Sequence, residues 1–181
     1  EWTYSHKDTR QYIQRTFTDG NLANTNPSAD WSSAVTRAPY SLTNGDMLIT
    51  HFSSSGANVQ NQLGVVNSNG DFFGMALLPS GAQKQIVLRT VIGGVTSDST
   101  VLVPASLFSS SSHYSVMIFV DDNDGFHIRV WDLHNPQVYG EAVSNAMTTG
   151  TAWRFQQKTY NGTILLGMYM EGIPYTETES A

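Results

Sequence analysis

No cysteine occurs among the 181 residues, which excludes a disulfide framework and thiolate chemistry without fixing the compartment. Charge is scarce as well. Asp, Glu, Lys and Arg make up 13% of the chain, against roughly 25% in an average soluble protein. The net charge is −6, and no basic cluster exists to neutralise phosphates. That argues against a nucleic-acid partner and against a polybasic membrane-binding surface. No apolar run approaches the roughly 20 residues that span a bilayer, so no membrane insertion is expected. No helix-length polar/apolar stripe is found either; PASLF at 104–108 would give one short turn. Glutamate is missing altogether between Glu1 and Glu141, which narrows the acid chemistry open to the chain.

Hydrophobic residues account for 40% of the sequence and aromatic residues for 11%. That supply can build a substantial core, and the length fits one domain over 1–181; two would be cramped. The polar surface is made of Ser, Thr, Asn and Gln, which suits an exported β-protein and an extracellular or cell-surface location. The sequence begins at Glu1 with no signal-like segment, as expected of a mature protein or of one module of a larger multidomain protein.

The stretch His113 to Leu133, HYSVMIFVDDNDGFHIRVWDL, organises the rest. Val116, Ile118 and Val120 alternate, and Phe126, Ile128 and Val130 repeat the pattern after a tight acidic turn. Period-two alternation puts these six on one face of a hairpin, which must be buried. The opposite face carries Ser115, Met117 and Phe119, then His127, Arg129 and Trp131. Aromatic, cationic and imidazole groups of that kind mark the face as the place to look for function.

Other strands follow from short apolar runs bounded by turns: YIQRTF, MLITHF after Asn44-Gly45-Asp46, NQLGVV, FFGMALL after NSNGD, Gln85 to Ile92, TVLVP, Val138 to Val143, TAWRFQQK and TILLGMYM. Thr18 to Trp31 is crowded with Gly, Asn, Asp, Ser and Pro and reads as a long ordered loop. The Ser109–Ser112 run reads as a solvated linker. Asn161-Gly162-Thr163 matches the glycosylation sequon, but Asn-Gly before a strand is more simply a turn. About ten short strands at this spacing, with no fixed repeat, predict an all-β antiparallel sandwich or barrel.

Phe17, then Asn26-Pro27-Ser28-Ala29-Asp30-Trp31-Ser32, then Leu42-Thr43-Asn44-Gly45-Asp46-Met47-Leu48, is similar to the opening of many concanavalin A-like lectin/glucanase (laminin-G-like) jelly-roll domains. The hairpin and its sequel, from Gly125 through Trp131-Asp132 and Asn135-Pro136 to Tyr139-Gly140, resemble paired strands that cross the concave sheet of that fold. The resemblance spans nearly the whole chain. It implies an antiparallel β-sandwich of jelly-roll type acting either as a non-catalytic carbohydrate-binding module or as a glycosidase or lyase. The E-x-D-x-E or E-x-D-x-x-E strand of the laminarinase-like branch is absent, and the polysaccharide-lyase signatures are not recognisable. A xylanase-like arrangement would have to use Glu141 and Glu171, brought within about 5 Å for a retaining mechanism.

For glycan binding, Trp131, Trp31 and Tyr139 would supply rings that stack on pyranose C–H faces, while Arg129 and His127 donate to hydroxyls. The competing reading buries Trp131 and pairs Arg129 with an acid. For metal, the Asp121-Asp122-Asn123-Asp124-Gly125 run offers Asp122 and Asp124 as oxygen donors to calcium. It lacks EF-hand spacing, and a hairpin turn ending in a left-handed Gly125 explains it equally. The fold resemblance separately implies a structural calcium between the sheets. The five histidines lack zinc-site spacing, and no Ser has a nucleophile-elbow context. The expected function is a carbohydrate-binding or adhesion module of an exported bacterial protein. A structural spacer or protein-interaction module and a jelly-roll hydrolase or lyase are the alternatives.

Overall fold

A computed structural model of the chain describes residues 2–5, 11–15, 20–24, 31–36, 39–53, 60–160 and 166–171. In chain order the strands are β1 (Trp2–Ser5), β2 (Gln11–Arg15), β3 (Gly20–Asn24), β4 (Trp31–Thr36), β5 (Tyr40–Leu42), β6 (Met47–Ser53), β7 (Gln60–Val66) and β8 (Phe72–Ser80). They continue as β9 (Gln83–Ile92), β10 (Val95–Val103), β11 (Tyr114–Val120), β12 (Phe126–Asp132), β13 (Tyr139–Ser144), β14 (Gly150–Tyr160) and β15 (Leu166–Glu171). No helix is found among the described residues.

The strands form two antiparallel sheets. Sheet 1 runs β1-β4-β14-β7-β8-β9-β10, with β5 paired to β14; sheet 2 runs β13-β12-β11-β6-β15-β3-β2. The architecture is an antiparallel β-sandwich of jelly-roll type. The hairpin β11–β12 lies second and third from one edge of sheet 2, with β6 as the middle strand.

The core forms where the inward faces meet. Val116, Ile118, Val120, Phe126, Ile128 and Val130 are all at most 2% exposed, so the alternation read from the hairpin is realised. Each contributes on the order of 2 kcal/mol by leaving water. Leu63, Val65, Phe73, Met75, Leu77, Ile86 and Phe155 oppose them from sheet 1. The Phe126 ring meets Phe73 edge-on at 5.6 Å and leans on Trp153 at 5.2 Å.

Several sequence expectations are corrected. Within the supposed loop Thr18 to Trp31, residues Gly20–Asn24 form β3, paired with β2 and β15. Backbone ladder bonds suffice there, and these require no apolar alternation. Trp31 opens β4 and pairs with Tyr160, so it starts a strand. The Ser109–Ser112 run is a structured turn: Ser112 is buried, and the Ser109 amide donates to the Tyr114 hydroxyl at 2.8 Å. In the acidic turn the left-handed residue is Asp124, with φ 61°, and not Gly125. Asp and Asn are among the few side chains that accept this conformation. Gly125 is needed for another reason, since a Cβ there would lie 2.7 Å from Asp121 Oδ2.

Candidate functional site

The two outward faces of the sandwich differ. On sheet 1, Gly64 and Gly74 are register partners, and the Phe72 ring lies over both, 2.8 and 2.7 Å from where their Cβ atoms would be. Phe72, Gln62, Arg89 and Gln156 are all buried. Arg89 donates to both oxygens of its cross-strand partner Asp98 at 2.8 Å and to Gln62 Oε1 at 3.3 Å. Around Phe72 and Arg89 this face is filled, and the Arg89 guanidinium is paired.

The outward face of sheet 2 is open. Register places its residues in three rows across β6, β11, β12 and β13: Met47, Phe119, His127, Val143; then Ile49, Met117, Arg129, Glu141; then His51, Ser115, Trp131, Tyr139. Of these twelve, only Ser115 is buried. Tyr139 is 50% exposed. The face is thus neither a second core nor a plain Ser/Thr/Lys surface, and it holds the hairpin residues singled out from sequence.

Its polar groups are held in specific ways. His127 Nε2 donates to Asp121 Oδ2 at 2.5 Å, and its ring stacks on Phe119 with centroids 4.5 Å apart. Asp121 Oδ1 accepts the amides of Asn123 and Gly125, both at 2.8 Å. The His127 hydrogen bond, then the two amides, hold the Asp121 carboxyl below its ordinary value. His127 is therefore a brace for the acidic turn, with one nitrogen already committed. Arg129 is exposed, its guanidinium 5.0 Å from the centroid of Tyr139. Trp131 and Tyr139 are direct register partners, which places both residues at neighbouring positions on this face. Ser115 Oγ and His51 Nδ1 share a hydrogen bond.

Trp131, Arg129, His127 and Tyr139 are therefore brought together. Trp31 is not: its strand belongs to sheet 1, and its side chain lies outside the described residues. His51, Ser115 and Glu141 join the face although sequence reading did not place them there as binding groups. The signal for His51 was the alternation Met47, Ile49, His51 within MLITHF, but which strand lay beside β11 could not be read locally.

Among the described residues, neither the catalytic pair nor the metal ligands weighed from sequence are brought together. Glu141 and Glu171 fall in the same row but on β13 and β15, four strand spacings apart. At about 4.8 Å each this is near 19 Å, too far for either a retaining or an inverting pair. Ser115 is fully buried, and among the described residues no carboxylate is bonded to His51. Asp122 and Asp124 are exposed, Asp121 is consumed by the turn, and no group of three or more His, Cys, Asp or Glu able to hold a metal occurs among the described residues. The acidic run is explained by turn geometry.

No protein-family model and no curated protein matches the sequence. Solved structures do match. The carbohydrate recognition domain of Emp47p aligns over 94% of this chain and 88% of its own, at 13% identity and TM-score 0.59. The legume lectin-like domain from Entamoeba histolytica covers 95% and 90%, at 8% identity and TM-score 0.59. The carbohydrate binding module CBM66 from Bacillus subtilis covers 94% of both chains, at 9% identity and TM-score 0.57. The fold is the concanavalin A-like lectin sandwich. At these identities the likeness is one of fold, and any function has to be argued from this chain's own residues.

Proposed function

We propose that this chain is a non-catalytic carbohydrate-binding or adhesion module of an exported bacterial protein, acting outside the cell or at its surface. Glycan lies on the outward face of sheet 2. The observation that carries this reading is the register pair Trp131–Tyr139 on an outward face that is not filled, with the Arg129 guanidinium over the Tyr139 ring. Pyranose C–H surfaces bind such rings, and a few fixed donors set orientation. The three solved neighbours, two of them named as carbohydrate-binding and one as lectin-like, make the reading consistent at the level of fold.

Within this reading Trp131 and Tyr139 stack on sugar, Arg129 donates hydrogen bonds, and His127 keeps the turn at the end of the face in place. The separation of Glu141 from Glu171 supports binding without bond cleavage. The low charge and Ser/Thr/Asn/Gln surface support export.

The test is a glycan array followed by a polysaccharide pull-down. Trp131→Ala and Tyr139→Ala should each weaken capture about tenfold while leaving the melting temperature nearly unchanged. Trp31→Ala, in the other sheet, should retain it. Equal capture by all four proteins would remove the site assignment, and no capture by the unaltered protein would favour a structural spacer.

A further inference from the structure

Two arginines in this protein stand opposite an acid in strand register, and they behave differently. Arg89 faces Asp98 across β9–β10 and makes a two-pronged ion pair with it at 2.8 Å. Arg129 faces Glu141 across β12–β13. Side chains directly opposite in an antiparallel pair are close enough to pair. Yet among the described residues Arg129 makes no ion pair. Its guanidinium lies over Tyr139 instead.

That choice of neighbour has a chemical consequence. An aromatic ring occupies only the flat face of a guanidinium, so the N–H donors around its edge stay available. The planar guanidinium fork matches the two oxygens of a carboxylate, and here its donors are not spent on a neighbouring acid. Trp131 lies two residues along the same strand on the same face, about 6.8 Å away. The two imidazoles on that face are already engaged, His127 with Asp121 and His51 with Ser115.

We infer that the open face selects an acidic sugar, a uronate-type pyranose whose carboxylate is taken by Arg129 while its ring, or the next one, stacks on Trp131. This rests on the carbohydrate-binding reading and narrows it to a ligand class. Glu141 flanks the fork and opposes an anion there. Its removal strengthens binding of an acidic sugar, whereas for a neutral sugar it would remove a hydroxyl acceptor.

The experiment is calorimetric titration of the whole chain with oligomers of polygalacturonate, alginate and hyaluronan, beside the same oligomers after carboxyl reduction. At least one acidic oligomer should bind about tenfold or more tightly than its reduced form, the scale of one charge-assisted hydrogen bond. Its affinity should fall between about 20 and 500 mM sodium chloride. Arg129→Gln should erase the preference, Arg129→Lys should keep only part of it, and Glu141→Gln should raise acidic-sugar affinity severalfold. Equal binding of acidic and reduced oligomers, lost in Trp131→Ala, overturns this inference and leaves the carbohydrate reading standing. Binding of neither set overturns both.

Discussion

Gly140 of β13 lies so close to Leu102 of β10 that a Cβ on it would fall 2.0 Å from the Leu102 carbonyl oxygen. The edges of the two sheets meet here, and the contact fixes the strand that carries Tyr139 and Glu141. Gly140→Ala should therefore destabilise the protein by about 3 kcal/mol, the upper range for overpacking against a backbone that cannot yield. It should also weaken glycan binding, because β13 must move. Gly150→Ala is the matched control: nothing lies within 4 Å of its Cβ position, and its effect should stay within about 0.5 kcal/mol. Urea unfolding and a binding titration on both variants decide the matter.

On the filled face of sheet 1, Gly74→Ala should damage stability without touching the site. Its Cβ would lie 2.3 Å from the Leu63 carbonyl oxygen and 2.7 Å from the Phe72 ring. A loss of about 3 kcal/mol is expected. Sugar affinity measured well below the melting temperature should be unchanged, since sheet 2 is not involved. A Gly74→Ala protein with native stability would contradict the close packing of β7 on β8.

Asp121 gives the hairpin an acid-sensitive hinge. Its folded carboxyl titrates below the ordinary value of 3.8, chiefly through the His127 hydrogen bond and then the Gly125 and Asn123 amides. The unfolded chain therefore binds the proton first as pH falls. The stabilisation is complete above about pH 5 and disappears as pH drops through the depressed folded value. Asp121→Asn should lower the melting temperature at pH 7, and the gap from the unaltered protein should narrow as pH falls through the depressed folded value. Melting curves from pH 2 to 7 on both proteins measure the gap; a constant difference across that range would show that the carboxylate charge is not what stabilises the turn.

How much of this was readable beforehand differs between the hairpin and its surroundings. Val116 to Val120 and Phe126 to Val130 announced a buried face because alternation is a local property, and Trp131, Arg129 and His127 followed onto the other face by the same parity. Which strand lies beside which is not local. Nothing near His51 in sequence tells that it will sit beside Ser115, or that Glu141 and Glu171 will end four strands apart. β3 was missed because GNLAN lacks an apolar period and is held by ladder bonds to β2 and β15. Trp31 was read as the end of a loop because loop composition masked the start of β4. The acidic run suggested calcium from composition; Asp121 spends its oxygens on backbone amides and an imidazole, while Asp122 and Asp124 stay exposed.

Trp131 and Tyr139 should act on one ligand as a unit. They are register partners on β12 and β13, and in the proposed complex one sugar chain crosses both positions, so truncating either side chain should alter how the other is used. Trp131→Ala and Tyr139→Ala should each cost about 1–2 kcal/mol of binding. The double variant should lose less than the two combined, with a coupling of about 1 kcal/mol, as contacting residues do. Tyr139→Ala has a further effect, since Arg129 loses the ring beneath its guanidinium. Arg129→Gln should consequently matter less in the Tyr139→Ala background than in the unaltered protein. A full set of single and double variants titrated with one oligosaccharide gives both couplings. Strict additivity for the two pairs would mean that these side chains meet different ligand parts or none.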